Sequence, residues 1–250
     1  MAPASPSDTA ARLDALADYG ILDTPAEQGF DDIVLLASQL CETPVALVSL
    51  VAQDRQWFKA RIGFEPCETP IGQSVCAHAL DHADPLVIPD LAEDPRTRDN
   101  TLVTGEPFIR FYAGAPLVTP AGIAVGTLCV IDRLPRPEGL QPNQMVALQA
   151  LARQVVAQLE LRKMYREEND RLHHEGTRAR LAQEAGGIGT FELDVITHEL
   201  TVSAEFCRLF GLPVAANYPA RTVEVLIVRE DGAVRSTSRS RRDGSAPLDV

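Results

Sequence analysis

GEPFIRFYAGAPLVTPAGIAVGTLCVID, residues 105–132, holds two apolar runs on either side of a turn. Phe111 to Val118 reads as one strand and Ile123 to Ile131 as the next. Between them, Thr119-Pro120-Ala121-Gly122 puts Pro where a type I turn needs φ of about −65° and Gly where the chain leaves the turn. The second run carries Ile123, Val125, Thr127, Cys129 and Ile131 on one face and Ala124, Gly126, Leu128 and Val130 on the other. Both faces are apolar, which is the pattern of a central strand covered on both sides. Gly114 and Gly126 lack side chains, as close approach of a backbone or a ligand requires.

Working outward, Val45 to Val51 is a further strand and Gln56 to Ile62 returns beside it after a turn at Gln53-Asp54-Arg55. A period of two places Trp57, Lys59 and Arg61 on one face and Phe58, Ala60 and Ile62 on the other. Upstream, Thr24-Pro25-Ala26-Glu27 has the spacing of a capping box with Pro at the first helical position. Phe30, Ile33, Val34, Ala37 and Leu40 then recur at helical spacing, a stripe suited to the core. Arg12 to Tyr19 reads as a short helix, and residues 1–11, rich in Pro, Ser and Ala, as a disordered lead. Downstream, Ser74 to Leu80 is a short helix and Leu86 to Ile88 a short buried strand. Residues 90–106 form a long charged loop, of a length that tends to be functional or mobile.

Pro142 opens the next helix, lined by Met145, Leu148, Ala152, Val155 and Leu159. The helical pattern continues to about 184, with no Gly before Gly176. Apolar positions thin out after Leu161 to Tyr165 and Leu172. Two readings fit this segment: a two-stranded coil with a second copy of the chain, or a lone solvated helix with i,i+4 ion pairs.

Composition sets the outer limits. In 250 residues, 45% hydrophobic and 23% charged is ordinary for one or two globular domains. A net charge of −12 repels phosphate, so neither nucleic acid nor an anionic membrane is an expected partner. There is no apolar run of ~18 residues and no secretory signal. Five widely spaced cysteines fit a reducing cytoplasm better than a disulfide framework.

IRFYAGAPL and GIAVGTLCVID, taken with DRQWFKARIG (54–63) and SVCAHAL (74–80), resemble a GAF domain of bacterial signal-transduction proteins. The resemblance implies an α+β fold over residues 12–162: a mostly antiparallel sheet flanked by helices, with a pocket under the loops. A connecting signalling helix over 163–184 follows. Residues 185–250 resemble the opening of a PAS domain, incomplete because the strands that would finish its sheet are missing. In such proteins the output is often a histidine kinase or a diguanylate cyclase. Neither output is legible here, and His173-His174 lack a phosphoacceptor context, so no kinase activity is expected.

The function expected is therefore sensory: a small molecule of unknown identity, or redox state, read between sheet and loops and relayed through helix 142–184, with a homodimer through that helix. The ligand-contacting candidates are Trp57, Phe58, Cys76, His78, Arg110 and Tyr112. Trp57 is a pocket wall or a core residue. Cys76 and His78 point about 200° apart on a helix, so they form no nucleophile dyad and hold no metal alone. One of them faces the pocket. Arg110 and Tyr112 offer a cation and a hydroxyl, or else a surface ion pair and a satisfied phenol. Cys41, Cys67, Cys129 and Cys207 read as structural or surface thiols. Two other readings are a thiol enzyme like the methionine sulfoxide reductases, using Cys67 and Cys76, and a ligand-free dimerisation module. Bilin attachment is disfavoured because the usual Cys-His adjacency is missing.

Overall fold

The computed structural model describes residues 6–80 and 84–224. Two compact units divide the chain, one ending at Glu168 and the other starting at Asn169.

The first unit begins with α1 (Pro6–Tyr19), which takes residues 6–11 out of the expected disordered lead. Pro tolerates the first helical position, where its missing N–H costs nothing, and Ala10 and Ala11 favour the helix. Next, α2 (Gln28–Cys41) starts beyond the expected capping box. Thr24 Oγ1 donates to the Ile21 carbonyl at 2.7 Å instead, and the Glu27 carboxylate is taken by Lys59 and Arg162. A buried ammonium needs acceptors more than a helix terminus open to water does.

The strands β1 (Val45–Val51), β2 (Arg55–Ile62), β3 (Glu68–Pro70), β4 (Leu86–Ile88), β5 (Phe111–Val118) and β6 (Ala124–Asp132) build one antiparallel sheet in the order β3-β2-β1-β6-β5-β4. The turn before β6 closes with Gly122 N–H donating to the Thr119 carbonyl at 2.8 Å, and Gly122 takes φ +80°. β6 and β1 are the central strands. A Cβ on Gly126 would stand 2.0 Å from the Ser49 carbonyl oxygen of β1, so close backbone approach explains this glycine.

Pairing in β1–β2 jumps from Val48↔Ala60 to Ser49↔Phe58, which leaves Lys59 unpaired as a β-bulge. The bulge overturns part of the expected alternation. Ala60 and Ile62 join Trp57 on the helix side of the sheet, while Phe58 faces the other side.

Each face has its own core. On one, α1, α2 and the first part of α4 (Pro142–Ala185) contribute Leu16, Phe30, Val34, Leu148 and Val155. On the other, Phe58, Ile88, Leu91, Tyr112 and Ile131 pack under two 3-10 turns (Ile71–Gln73 and Cys76–Ala79) and the stretch before β5. Residues 90–106 are a series of hydrogen-bonded turns rather than an open loop. Thr97 Oγ1 donates to the Leu91 carbonyl, and Asn100 caps the short α3 (Thr101–Thr104).

The second unit contains the end of α4 and a small sheet of β7 (Phe191–Asp194), β8 (Glu199–Val202) and β9 (Asn217–Pro219), with α5 (Ala204–Leu209) and α6 (Ala220–Glu224). Ser203 Oγ accepts from Phe206 N–H at 3.1 Å and caps α5. Leu200, Val202, Phe206, Cys207 and Val223 form its core. The segment of the PAS-like reading begins at residue 185, so β7, β8 and α5 fall within it. The part of that reading that concerns residues 225–250 lies outside the described residues. Among the described residues no helix is long and apolar enough to cross a membrane.

Candidate functional site

The loop face of the sheet is not uniformly apolar. β1 and β6 place Ser49 opposite Thr127 and Leu47 opposite Cys129, and β5 places Gly114 opposite Cys129. Gly114 leaves space that the Tyr112 ring fills: a Cβ there would meet Tyr112 Oη at 2.2 Å. The 3-10 turn at Cys76–Ala79 then lowers Cys76 onto this strip, with its Sγ 3.7 Å from Cys129 Sγ. Ser49, Tyr112, Thr127 and Cys129 have no exposure at all, and Cys76 only 2%.

Hydrogen bonds tie the cluster together. Tyr112 Oη and Thr127 Oγ1 are 3.4 Å apart. Gln56 Oε1 accepts from Ser74 Oγ at 2.5 Å and from Ser49 Oγ at 3.4 Å. Ser74 Oγ in turn accepts from Ala77 N–H at 3.0 Å, which fixes the start of the turn that carries Cys76. Beside the cluster remains a cavity of about 20 Å³, lined in part by Gln56, Phe58, Phe64, Cys76 and Tyr112. A space of that size takes one molecule like water.

The two thiols are electrostatically unequal. A hydrogen bond from the Cys129 thiol lowers Cys76, against the cost of burial and with help from the hydroxyls of Ser49, Thr127 and Tyr112, to about 6. Cys129 is pushed well up, first by its bond to Cys76 and then by burial. Burial above all raises Tyr112, which stays a neutral hydrogen-bonding phenol. The two thiols titrate as a pair, in which donation from Cys129 and from the hydroxyls favours the thiolate form of Cys76.

Of the six sequence candidates, the structure brings three together: Phe58, Cys76 and Tyr112. Trp57 lies on the opposite face, in the helix-side core. Arg110 pairs with Asp90, its Nε 2.7 Å from Oδ1, so the ion-pair alternative holds for it. His78, on the same 3-10 turn as the buried Cys76, lies half-buried near Asp94. The Asp94 carboxyl is held low chiefly by Arg96 and also by His78. Ser49, Gln56, Ser74, Thr127 and Cys129 were not candidates. Cys129, expected as a structural or surface thiol, is half of the thiol pair. Cys67 is exposed, and the sulfur neighbour of Cys76 is Cys129.

A second constellation lies on the helix side. The side chain of Lys59, on the bulge, has no exposure, and its Nζ reaches Thr24 Oγ1 at 2.9 Å, the Pro25 carbonyl at 2.6 Å and Glu27 Oε1 at 2.6 Å. Arg162 of α4 donates to the same Glu27 oxygen at 2.9 Å and to the carbonyls of Tyr19 and Gly20 at 3.0 Å. Glu27 thus joins the sheet to α4.

Comparison with known proteins gives these features a context. A segment of 157 residues is 41% identical to the protein named cyclic di-GMP phosphodiesterase PA2567 of Pseudomonas aeruginosa, covering 63% of this chain. The match takes in only 27% of that relative's length. Among solved structures, the GAF domain of a phosphoenolpyruvate-protein phosphotransferase from Coxiella burnetii aligns at 12% identity and a TM-score of 0.47, over 63% of this chain and 97% of that one. The free methionine-R-sulfoxide reductase of Neisseria meningitidis aligns at 15% identity and a TM-score of 0.45, over 65% and 95%. Residues 25–159, more than half of the chain and all within the first unit, match the GAF domain family, and the chain belongs to it.

Proposed function

We propose that this chain is the sensory, regulatory part of a signal-transduction protein of cyclic di-GMP turnover, acting in the cytoplasm. In this reading the loop face of the GAF unit responds to redox state or to a very small ligand, and α4 relays the response to an output. The observation that carries the reading is the 41% identity to a protein named as a cyclic di-GMP phosphodiesterase. That name adds an output to the kinase and cyclase classes that the sequence resemblance brings to mind.

One run of contacts supports such a relay. Phe58 lines the loop-face cavity, and Lys59, next along the chain, holds Glu27 on the helix face. Glu27 holds Arg162 of α4. A stimulus that favours one position of β2 at its bulge over another therefore also biases a contact on the helix. The role assigned is regulation, not catalysis. The methionine sulfoxide reductase reading needs Cys67 and Cys76 to act together, whereas Cys76 is buried against Cys129. We further propose that α4 pairs with a second copy, since Leu161, Met164, Tyr165 and Leu172 are all exposed on it, and that residues 185–250 are a PAS-like segment.

An exchange experiment tests the regulatory reading. Deleting the GAF segment of the Pseudomonas aeruginosa phosphodiesterase should change its hydrolysis rate, and residues 1–168 of this chain, put in its place, should restore it. A chimera indistinguishable from the deletion overturns the reading.

A further inference from the structure

The sulfurs of Cys76 and Cys129 touch at 3.7 Å in a site closed to bulk water, yet they are not bonded. A disulfide needs about 2.05 Å, so the gap must close by about 1.7 Å. The partners differ in freedom. Cys129 is locked in β6, paired on both sides with β1 and β5. Cys76 is on a single 3-10 turn outside any strand ladder. The turn is the element able to move.

Two further observations separate this pair from cysteines that merely fill a core. Three hydroxyls, of Ser49, Tyr112 and Thr127, are buried around the sulfurs, with the Gln56 amide and the Ser74 hydroxyl beyond them. They are neutral donors that a thiolate accepts from and an apolar side chain does not need. The cavity beside Cys76 also leaves room for one molecule of about water's size. That admits the smallest oxidants and excludes organic ones.

We propose that Cys76 and Cys129 are a peroxide-responsive redox pair, with Cys76 the attacking thiol and Cys129 the resolving thiol. Cys76 Sγ attacks one oxygen of hydrogen peroxide: an S–O bond forms, the O–O bond breaks, and the other oxygen leaves as water with the thiol proton. Cys76 is then a sulfenic acid. Cys129 Sγ attacks the Cys76 sulfur: the S–S bond forms, the S–O bond breaks, and a second water leaves with the Cys129 proton. Two thiols lose two electrons and one peroxide gains them. The lowered pKa of Cys76 agrees with its attacking role, and the neighbour that chiefly raises Cys129 is the Cys76 sulfur that the first step oxidises. Closing the bond draws the Cys76–Ala79 turn toward β6 and takes the thiolate away from the three hydroxyls. The proposal deepens the sensory reading by naming its stimulus.

The test uses the full chain, reduced, freed of reductant, treated with hydrogen peroxide, acid-quenched, unfolded and alkylated before peptide mapping. The expected result is a Cys76–Cys129 cross-linked peptide in most chains, with Cys41 and Cys207 alkylated and dithiothreitol restoring full alkylation. In Cys129→Ser, dimedone should label Cys76. In Cys76→Ser, Cys129 should stay a free thiol. Should either variant fail to fold, the wild-type map alone decides. Cys76 and Cys129 both fully alkylated at a peroxide dose that oxidises the exposed Cys67 overturns the proposal, as does a cross-link found only in chains unfolded before the peroxide. The sensory reading fails separately: it falls with the chimera, whatever the peptide map shows.

Discussion

Lys59 Nζ lies 2.6 Å from Glu27 Oε1, with the lysine side chain wholly out of solvent and the glutamate side chain 39% exposed. The pair is unequal: the cation has no access to water, while the anion also serves Arg162. In Glu27→Gln the amide oxygen can still accept from Lys59, but the buried cation loses its countercharge, so the change should cost about 1–3 kcal/mol. Urea denaturation of the full chain measures it. An unchanged midpoint would mean that Thr24 and the Pro25 carbonyl are sufficient for Lys59.

Acid should act through the same carboxylate. Burial pushes Glu27 up, but hydrogen bonds from Lys59 and Arg162 outweigh it, and the group ends below its ordinary value of 4.5. A carboxyl depressed on folding contributes stability that is present above its unfolded value and lost as pH falls through the folded one. Wild-type stability should thus fall more steeply than that of Glu27→Gln between about pH 5 and pH 3. Asp90 beside Arg110 and Asp94 beside Arg96 shift in the same direction and add a slope common to both proteins. Parallel curves for the two proteins would contradict the assignment.

Two glycines should differ in what they tolerate. In Gly114→Ala the new methyl meets the Tyr112 ring and hydroxyl, a side chain able to shift, so the loss should lie within the ~1–3 kcal/mol of ordinary overpacking. In Gly126→Ala it meets the backbone of β1 at the centre of the sheet, and the loss should reach or pass the top of that ~1–3 kcal/mol range. Thermal or urea unfolding of both variants checks the order, and a reversed order refutes the account.

The apolar positions on α4 predict self-association. Sedimentation of the full chain at micromolar concentration should give a dimer, and Tyr165→Glu combined with Leu172→Glu should give a monomer. Both residues are more than half exposed, so the double variant should keep its fold. A wild-type monomer removes the pairing.

Native mass spectrometry addresses the pocket directly. With about 20 Å³ free beside Cys76, the purified chain should carry no bound organic molecule. An excess mass of nucleotide or metabolite size would show either that the loop face opens or that one of the larger hollows, about 250 Å³ beside Arg153 and about 520 Å³ beside Arg61, is the binding site.

The hairpin, the long helix and the central place of β6 were legible in sequence because their patterns are local. Pro120 and Gly122 mark the turn, and an apolar run covered on both faces marks the strand. Other features depend on partners far along the chain. The box Thr24-Pro25-Ala26-Glu27 has the spacing of a cap, but Lys59, 32 residues on, captures the glutamate. The bulge at Lys59 has no local signature, and it moves Ala60 and Ile62 to the face opposite the one expected. Cys129 sits in a strand apolar on both faces, so nothing nearby tells which face it joins. Only the pairing of β6 with β1 and the approach of the Cys76 turn make it half of a site. Phe58, Cys76 and Tyr112 come together on the loop face, whereas Trp57, one residue from Phe58, falls on the far side because neighbours in a strand point apart.

The sheet acts as a partition between two chambers with separate fillings. Residues under the loops are free to be exchanged for others that answer a different stimulus, and the helix-side filling that anchors α4 need not change with them. What must be kept is the passage through the wall, Phe58 on one side and Lys59 on the other. Diversity among such domains should then gather in one chamber while the wall and its passage stay recognisable.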